Sequence, residues 1–278
     1  MSLTPAGTAP GYGALLLRGL LAGLIAGLLA GAFAYTFGEP KVEAAIAIEE
    51  AASHAEAAAP ADPAAAGQAQ DSATADDHHG EDALVSRNGQ KGGLFLATAL
   101  YGVAMGGLLA TAYALLRRRL RTAHDSRAAL GLAGAALLGL VLVPFVKYPP
   151  NPPAVGDPAT IDQRTISYLS VVVIGLVAVW AAVLASRSPR AGAPEWVRAC
   201  AGLGAFLVVV VVGYVLLPNI DEVPSTFPPS LLWNFRLSSL GTQVTMWTVL
   251  GLAFTALLSR LGPVRPAVPR EPSESVAV

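Results

Sequence analysis

The 278-residue chain has one cysteine, three lysines, three methionines and four histidines. Cys200 has no second cysteine to bridge, so cysteine usage says nothing about redox compartment. Charged residues make up 13% of the sequence, about half the roughly 25% of a soluble domain. Net charge is −1, so charge balance names no partner, and nothing reads as a footprint for nucleic acid. A glycine-rich loop closing on Lys-Ser or Lys-Thr is missing, and so is any Ser-His-Asp or HExxH arrangement. Nucleotide hydrolysis by the P-loop route is thereby excluded, and the chain does not read as an enzyme. Glu and Asp residues near a membrane surface, with Lys147 and Arg164, could in principle supply acid–base groups to a lipid substrate, but no spacing demands it. Any transport runs downhill, couples to an ion gradient or draws on another subunit's energy.

Apolar residue is what the chain has in quantity: 54% of the sequence, with a mean hydropathy of +0.54. It is gathered in runs of about 20 residues, the length a helix needs to cross about 30 Å of hydrocarbon. Six such runs lie at 14–37, 93–116, 128–146, 167–185, 197–217 and 240–261. Backbone groups in lipid must be satisfied within each segment, so each run is predicted to be a helix. The expected fold is an all-α integral membrane protein: a single polytopic domain over 1–278 with about six transmembrane helices.

Arginine and lysine orient it. With the N-terminus in the cytoplasm, twelve of the eighteen basic residues fall on the cytoplasmic side, and the cluster Arg117–Arg121 is the strongest stop signal. Both termini are therefore expected to be cytoplasmic. Fifteen of the nineteen acidic residues then face outward. Ala32-Phe33-Ala34 fits a signal-peptidase site, but the apolar run before it exceeds the 7–15 residues of a signal peptide's core, so the first span is expected to be retained.

Gly19, Gly23, Gly27 and Gly31 recur every four residues, and Gly102 and Gly106 repeat the spacing in the second span. Such stripes let helices approach closely. The outer loop 38–92 is long, acidic and histidine-bearing. Its first part, Glu39 to about Ala59, reads as a helical extension rich in Ala and Glu. Beyond Pro60 it reads as a flexible linker, and the tail 263–278 as a disordered cytoplasmic segment.

Ionisable groups are nearly missing from the spans, which argues against a midplane carboxylate relay. Met105, Cys200, Thr242, Gln243, Thr245 and Met246 are the softer groups that could line a path, or simply pack. Candidate metal ligands lie outside. Glu39, Glu43 and Glu50 fall close to one helix face with Glu49 beside them, and His54 is one turn past Glu50. A Glu–His pair at i, i+4 can share a divalent ion. His78 and His79 sit within the run Asp76–Asp82. Imidazole suits cobalt, nickel and zinc, and carboxylate supplements it. The second outer loop has six prolines in the fifteen residues Pro144–Pro158 and is expected to be extended and stiff, capping the helix ends. The third, from Leu217-Pro218 to Pro228-Pro229, leads into Trp233, Phe235 and Arg236, with Arg236 expected to pair with Asp221 or Glu222.

These residues resemble the CbtA family of cobalt-transporter subunits. The resemblance is carried by Gly38-Glu39-Pro40 with Glu43 and Glu49-Glu50, by Gln90-Lys91-Gly92-Gly93 with Tyr101-Gly102 and Gly106-Gly107, and by Leu217-Pro218 with Pro228-Pro229 and Trp233-Phe235-Arg236. Its most specific element is Pro144–Pro158 together with Thr160, Arg164 and Tyr168. It implies a multi-pass protein of the bacterial inner membrane, associated with cobalt uptake for cobalamin, and a small CbtB-like partner with one span and a histidine-bearing tail. No permanently bound cofactor is implied; cobalt(II) or nickel(II) would be cargo. The metal-ligand candidates Glu39, Glu43, Glu49, Glu50, His54, His78 and His79 come from the residues themselves. Two readings stand: a subunit that gathers metal outside and passes it through the bundle, and an assembly protein without transport of its own.

Overall fold

The computed structural model describes residues 11–58, 87–117, 119, 125–156, 158–190 and 192–260. Among them every regular element is helical, and six helices are long and apolar enough to cross a membrane. The first span is continuous. Helix α1 (Tyr12–Phe33) passes through a π-helical turn, Ala34–Gly38, into α2 (Glu39–Ala58), so the expected extension beyond the apolar run is present. Helix α3 (Arg87–Leu116) is the second span. The third is α4 (Asp125–Ala136), a second π-helical turn at Leu137–Leu142 and the short α5 (Val143–Lys147). A 3-10 turn, Pro158–Thr160, leads into α6 (Ile161–Arg187). Helices α7 (Glu195–Leu216) and α8 (Pro229–Ser259) complete the set.

Both π turns share a cause. Each ends two residues before a proline inside the same continuous helix, Pro40 after Gly38 and Pro144 after Leu142. A proline has no N–H to give and its ring crowds the carbonyl four residues back; a wider turn relieves both. The expectation that Pro144–Pro158 is extended throughout is corrected accordingly. Pro144 is buried within α5 and Pro158 opens the 3-10 turn, leaving 148–156 as the irregular stretch. Helix α8 also begins earlier than its apolar run, at Pro229, so Trp233, Phe235 and Arg236 lie on its first turns.

Helix α1 is central, packed between α3 and α8; α4 packs on α8, α6 crosses the third span at its π turn, and α7 packs on α6. Small residues bring these helices together. A Cβ on Gly23 would overlap the Gly102 carbonyl oxygen, and one on Gly106 would overlap that of Gly19. The glycine stripe is therefore a packing seam against α3. On the neighbouring face of α1, Ala22, Ala26 and Ala30 are buried in one core cluster with Trp247, Leu250 and Phe254 of α8. The second crossing, α6 on the third span, repeats the device: a Cβ on Gly175 would overlap the Gly139 carbonyl oxygen.

The bundle has two unlike ends. One carries Arg117, Arg119, Arg187, Arg190 and Arg198. Here Arg18 donates through Nε to the Leu257 carbonyl near the end of α8, at 3.1 Å, which supplies the last turn with a cation. The other carries the two proline-rich loops. There Ala45 of α2, Val155, Phe227 and Leu232 are buried together, so the helical extension and both loops form one cap over the helix ends.

Candidate functional site

Beneath the cap lies a cavity of about 740 Å³. Its walls come from every span except α7. The first span contributes Ala34, Gly38 and Glu39, and α3 contributes Thr98 and Tyr101. Leu140, Pro144 and Lys147 come from the third span, and Arg164 and Tyr168 from α6. Arg236, Ser238, Thr242 and Gln243 come from α8. Asn151 and Val155 of the second loop, with Asp221 and Glu222 of the third, close it from above. Both proline-linked π turns stand in the wall, where the wider helix leaves room.

Polar bonds lock the roof. Arg164 Nη1 meets Glu222 Oε2 at 2.8 Å, and Thr160 Oγ1 donates to the other carboxylate oxygen. The Glu222 side chain is 8% exposed, so this pair is shielded from water on its acidic side. Lys147 Nζ donates to Asn219 Oδ1 at 2.6 Å, and the Tyr148 hydroxyl to the Pro218 carbonyl at 2.6 Å, tying the two loops to each other. Tyr214 donates to the Val143 carbonyl, fastening α7 to the third span. Gly156 has φ +140°, and a Cβ there would stand 2.5 Å from Arg164 Nη1, so a side chain at this turn is opposed by both backbone and space. Arg236 does not form the pair expected from sequence with Glu222. Its Nη2 donates to Asn151 Oδ1 at 2.8 Å, because Arg164 already holds Glu222; Asp221 is the acid whose charge acts on Arg236.

Among the described residues, four of the buried side-chain atoms that lack a hydrogen-bond partner belong to α8: Arg236 Nε, Gln243 Oε1, Trp247 Nε1 and Thr255 Oγ1. Arg236, Gln243 and Trp247 are seven and eleven residues apart, which at about 100° per residue places them within about 40° of one another on the helix. The face starts in the cavity and descends into the core. Below Gln243 the bundle is filled: Trp247, Leu250 and Phe254 are buried, and Phe254 meets Tyr113 edge-on at 5.6 Å.

The sequence-predicted ligands are scattered along this architecture. Glu39 lines the cavity, with its Oε1 buried. Glu43 pairs with Lys91 of α3 at 2.6 Å. Glu49, Glu50 and His54 are exposed on α2. From Glu39 to His54 the helix rises fifteen residues, roughly 22 Å at 1.5 Å each, so a shared face does not make a shared site. His78, His79 and the run Asp76–Asp82 lie outside the described residues, as do the linker beyond Pro60 and the tail. Among the described residues no three His, Cys, Asp or Glu side chains come together to hold a metal. Of the softer candidates, Thr242 and Gln243 line the cavity, Met246 is buried in the core, Met105 packs against it, and Cys200 is exposed on α7. Sequence reasoning named Tyr101 only among the residues that carry the family resemblance, not as a lining residue, and passed over Trp247. Their signal was faint: a hydroxyl and an indole N–H inside apolar runs, where packing is the ordinary use.

Six spanning-length helices, five of which wall a cavity that mixes charged and apolar groups beneath the loops, define a multi-pass helical membrane protein with a vestibule at one end. The chain belongs to the family described as probable cobalt transporter subunit (CbtA), whose profile matches residues 12–259. That role is not an enzymatic one. No curated protein and no solved structure matches the chain.

Proposed function

We propose that this chain is the membrane-spanning subunit of a cobalt or nickel uptake system of the bacterial inner membrane, with its vestibule open to the outer face and both termini in the cytoplasm. Acidic and histidine side chains of the outer loop, Glu43, Glu49, Glu50, His54, His78 and His79, raise the local metal concentration. Glu39 receives the metal at the vestibule, and the cargo then descends along α8. The observation that carries this reading is the set of polar atoms buried on one face of α8, beginning in the cavity: Gln243 Oε1 is the one that a metal ion can meet, while the N–H donors of Arg236 and Trp247 call for water or an acceptor carried with the metal. Such atoms are costly in a membrane interior unless water or cargo meets them. The arginine-rich end opposite the vestibule supports the orientation. The packed layer of Trp247, Phe254 and Tyr113 below Gln243 is then the closed gate of an outward-open state. A small CbtB-like subunit is the expected partner.

The test is radiolabelled cobalt and nickel uptake in cells lacking their own importers, with the chain expressed alone and then with a candidate one-span partner. Uptake above the empty-vector level is expected in one of the two. Glu39→Gln should reduce it at least tenfold with protein level unchanged, and Glu43→Ala with His54→Ala should reduce it several-fold at limiting metal only. A second reading, an assembly protein without transport, draws on the lack of a convergent metal-ligand group among the described residues. No uptake in either arm, with membrane insertion verified, would decide for it.

A further inference from the structure

The vestibule is too large and too evenly charged for a naked metal ion. Its volume, about 740 Å³, falls within the roughly 300–1,000 Å³ of small-molecule sites and far exceeds the about 30 Å³ of one water. Three carboxylates line it, Glu39, Asp221 and Glu222, and so do three cations, Lys147, Arg164 and Arg236. An acidic ring would be the expected lining for a bare dication. Here an incoming dication would meet like charge on several sides, with no group of three ligands among the described residues to replace its water shell.

Two atoms say what kind of molecule fits. Arg236 Nε is buried and has no acceptor: Nη2 of the same group is held by the neutral amide oxygen of Asn151, and Asp221 acts on the guanidinium by its charge without a hydrogen bond to it. A buried cationic donor left unmet is costly, and an anionic acceptor is its strongest partner. Gln243, seven residues further along the same face of α8, meets the Tyr101 hydroxyl through its side chain but leaves Oε1 buried without a donor. An O–H or N–H would satisfy it. Around them Tyr101, Tyr148, Tyr168 and Phe235 offer aromatic surface for carbon atoms. Arg164 does not compete for the anion, since Glu222 and its bonds to Arg164 and Thr160 occupy it.

We propose that the vestibule binds its metal as a complex with a hydroxy- or amino-carboxylate, the carboxylate on Arg236 and the hydroxyl or amino donor on Gln243. That the complex carries a divalent metal rests on the function proposed above; the carboxylate site itself rests on the cavity alone. Such a chelate brings its own ligands and reduced charge, which removes the need for a protein-built coordination shell.

The test uses the full chain in phosphatidylcholine nanodiscs and calorimetric titration with cobalt–citrate, cobalt–histidine, cobalt chloride, succinate and inorganic phosphate. Cobalt–citrate or cobalt–histidine should bind more tightly than cobalt chloride. Arg236→Gln should weaken that binding at least tenfold, and Arg236→Lys should restore part of it, which separates charge from misfolding. Gln243→Leu should weaken the chelates but leave succinate, which lacks the donor, unchanged. Tighter binding of cobalt chloride than of either chelate, no chelate binding, or binding indifferent to Arg236→Gln would overturn the proposal. Phosphate binding as tightly as the chelates through Arg236 would overturn it too, and would make this a headgroup site. Chelate binding without any cellular uptake of cobalt or nickel would refute the transport reading and leave the carboxylate site standing. Uptake without chelate binding would do the reverse.

Discussion

The seam between α1 and α3 and the wall that α8 presents to the vestibule solve opposite problems within one bundle. In the seam, glycines at four-residue spacing let two backbones meet, and a single added Cβ overlaps a carbonyl oxygen on the other helix. Lipid offers no hydrophobic drive for helix association, so close packing of this kind is what holds two spans together. Along α8, by contrast, polar atoms are buried without partners and a cavity opens beside them. One region has no room for anything else, and the other is incomplete without something else. The contrast places rigidity in α1–α3 and exchange with cargo or water on α8, and α1 touches both.

The most severe way to break this division is to fill the seam. Gly106→Leu must push apart Gly19 and Gly23 at backbone level, where no flexible side chain can yield. Overpacking commonly costs about 1–3 kcal/mol, and backbone-on-backbone overlap belongs at or above the top of that range. Loss of monodisperse protein in detergent, or a fall in Tm well beyond that of any vestibule variant, is expected. Gly204→Leu on α7 is the control, since a Cβ there meets nothing within 4 Å. Equal damage from both substitutions would mean that the seam is not special.

A smaller effect is expected at the roof. Glu222→Gln removes the charge that Arg164 and Thr160 both engage. Hydrogen bonds to charged groups contribute about 1.5–3 kcal/mol, and the Arg164 side chain, 34% exposed, recovers part of that by turning to water. A double-mutant cycle of Glu222→Gln with Arg164→Gln on thermal unfolding should return a coupling of about 1 kcal/mol, in keeping with a partly exposed pair. A coupling near zero would mean that the loops are held by Tyr148 and Lys147 instead. In the seam variant, damage should be seen before any ligand is added; in the roof variant, it should appear chiefly as faster access to the cavity.

How much of this was readable beforehand follows the same division. The six spans and the glycine seam were legible because length and four-residue spacing are local signals that lipid makes strict. The second stripe, Ala22, Ala26 and Ala30, has the same period but was overlooked, since alanine in a helix has no need of a special reason. The proline loops were legible as irregular, yet the irregular stretch was begun at Pro144, a residue that the third apolar run 128–146 already carried into a helix, because the rule against internal proline ignores the π turn that absorbs it. The vestibule was the least legible. Glu39 was picked out for its place beside Glu43 and Glu50 on one helix face, whereas its position in the cavity depends on residues some two hundred positions away on α8. Spacing along one helix reports neighbours on that helix only, so it grouped Glu39, Glu50 and His54, which the rise of the helix separates.

The mildest variant probes the boundary between the two regions. Lys91 of α3 and Glu43 of α2 form a 2.6 Å ion pair whose side chains are 28% and 47% exposed. Pairs this open to solvent gain little, because water screens them and two long side chains must be held in place. Lys91→Gln is therefore expected to leave Tm unchanged within measurement error and to leave the α1–α3 seam intact, since the glycines and not this pair hold those helices. Its effect on uptake is the informative part. Removing the cation exposes the Glu43 carboxylate to incoming metal, so uptake at limiting cobalt should rise modestly, by up to about twofold, an effect that 1 M salt, with a screening length of about 3 Å, should erase. A fall in uptake instead, with Tm unchanged, would mean that the pair positions α2 over the vestibule, and would move the extension of the first helix from a collector of metal to a working part of the roof.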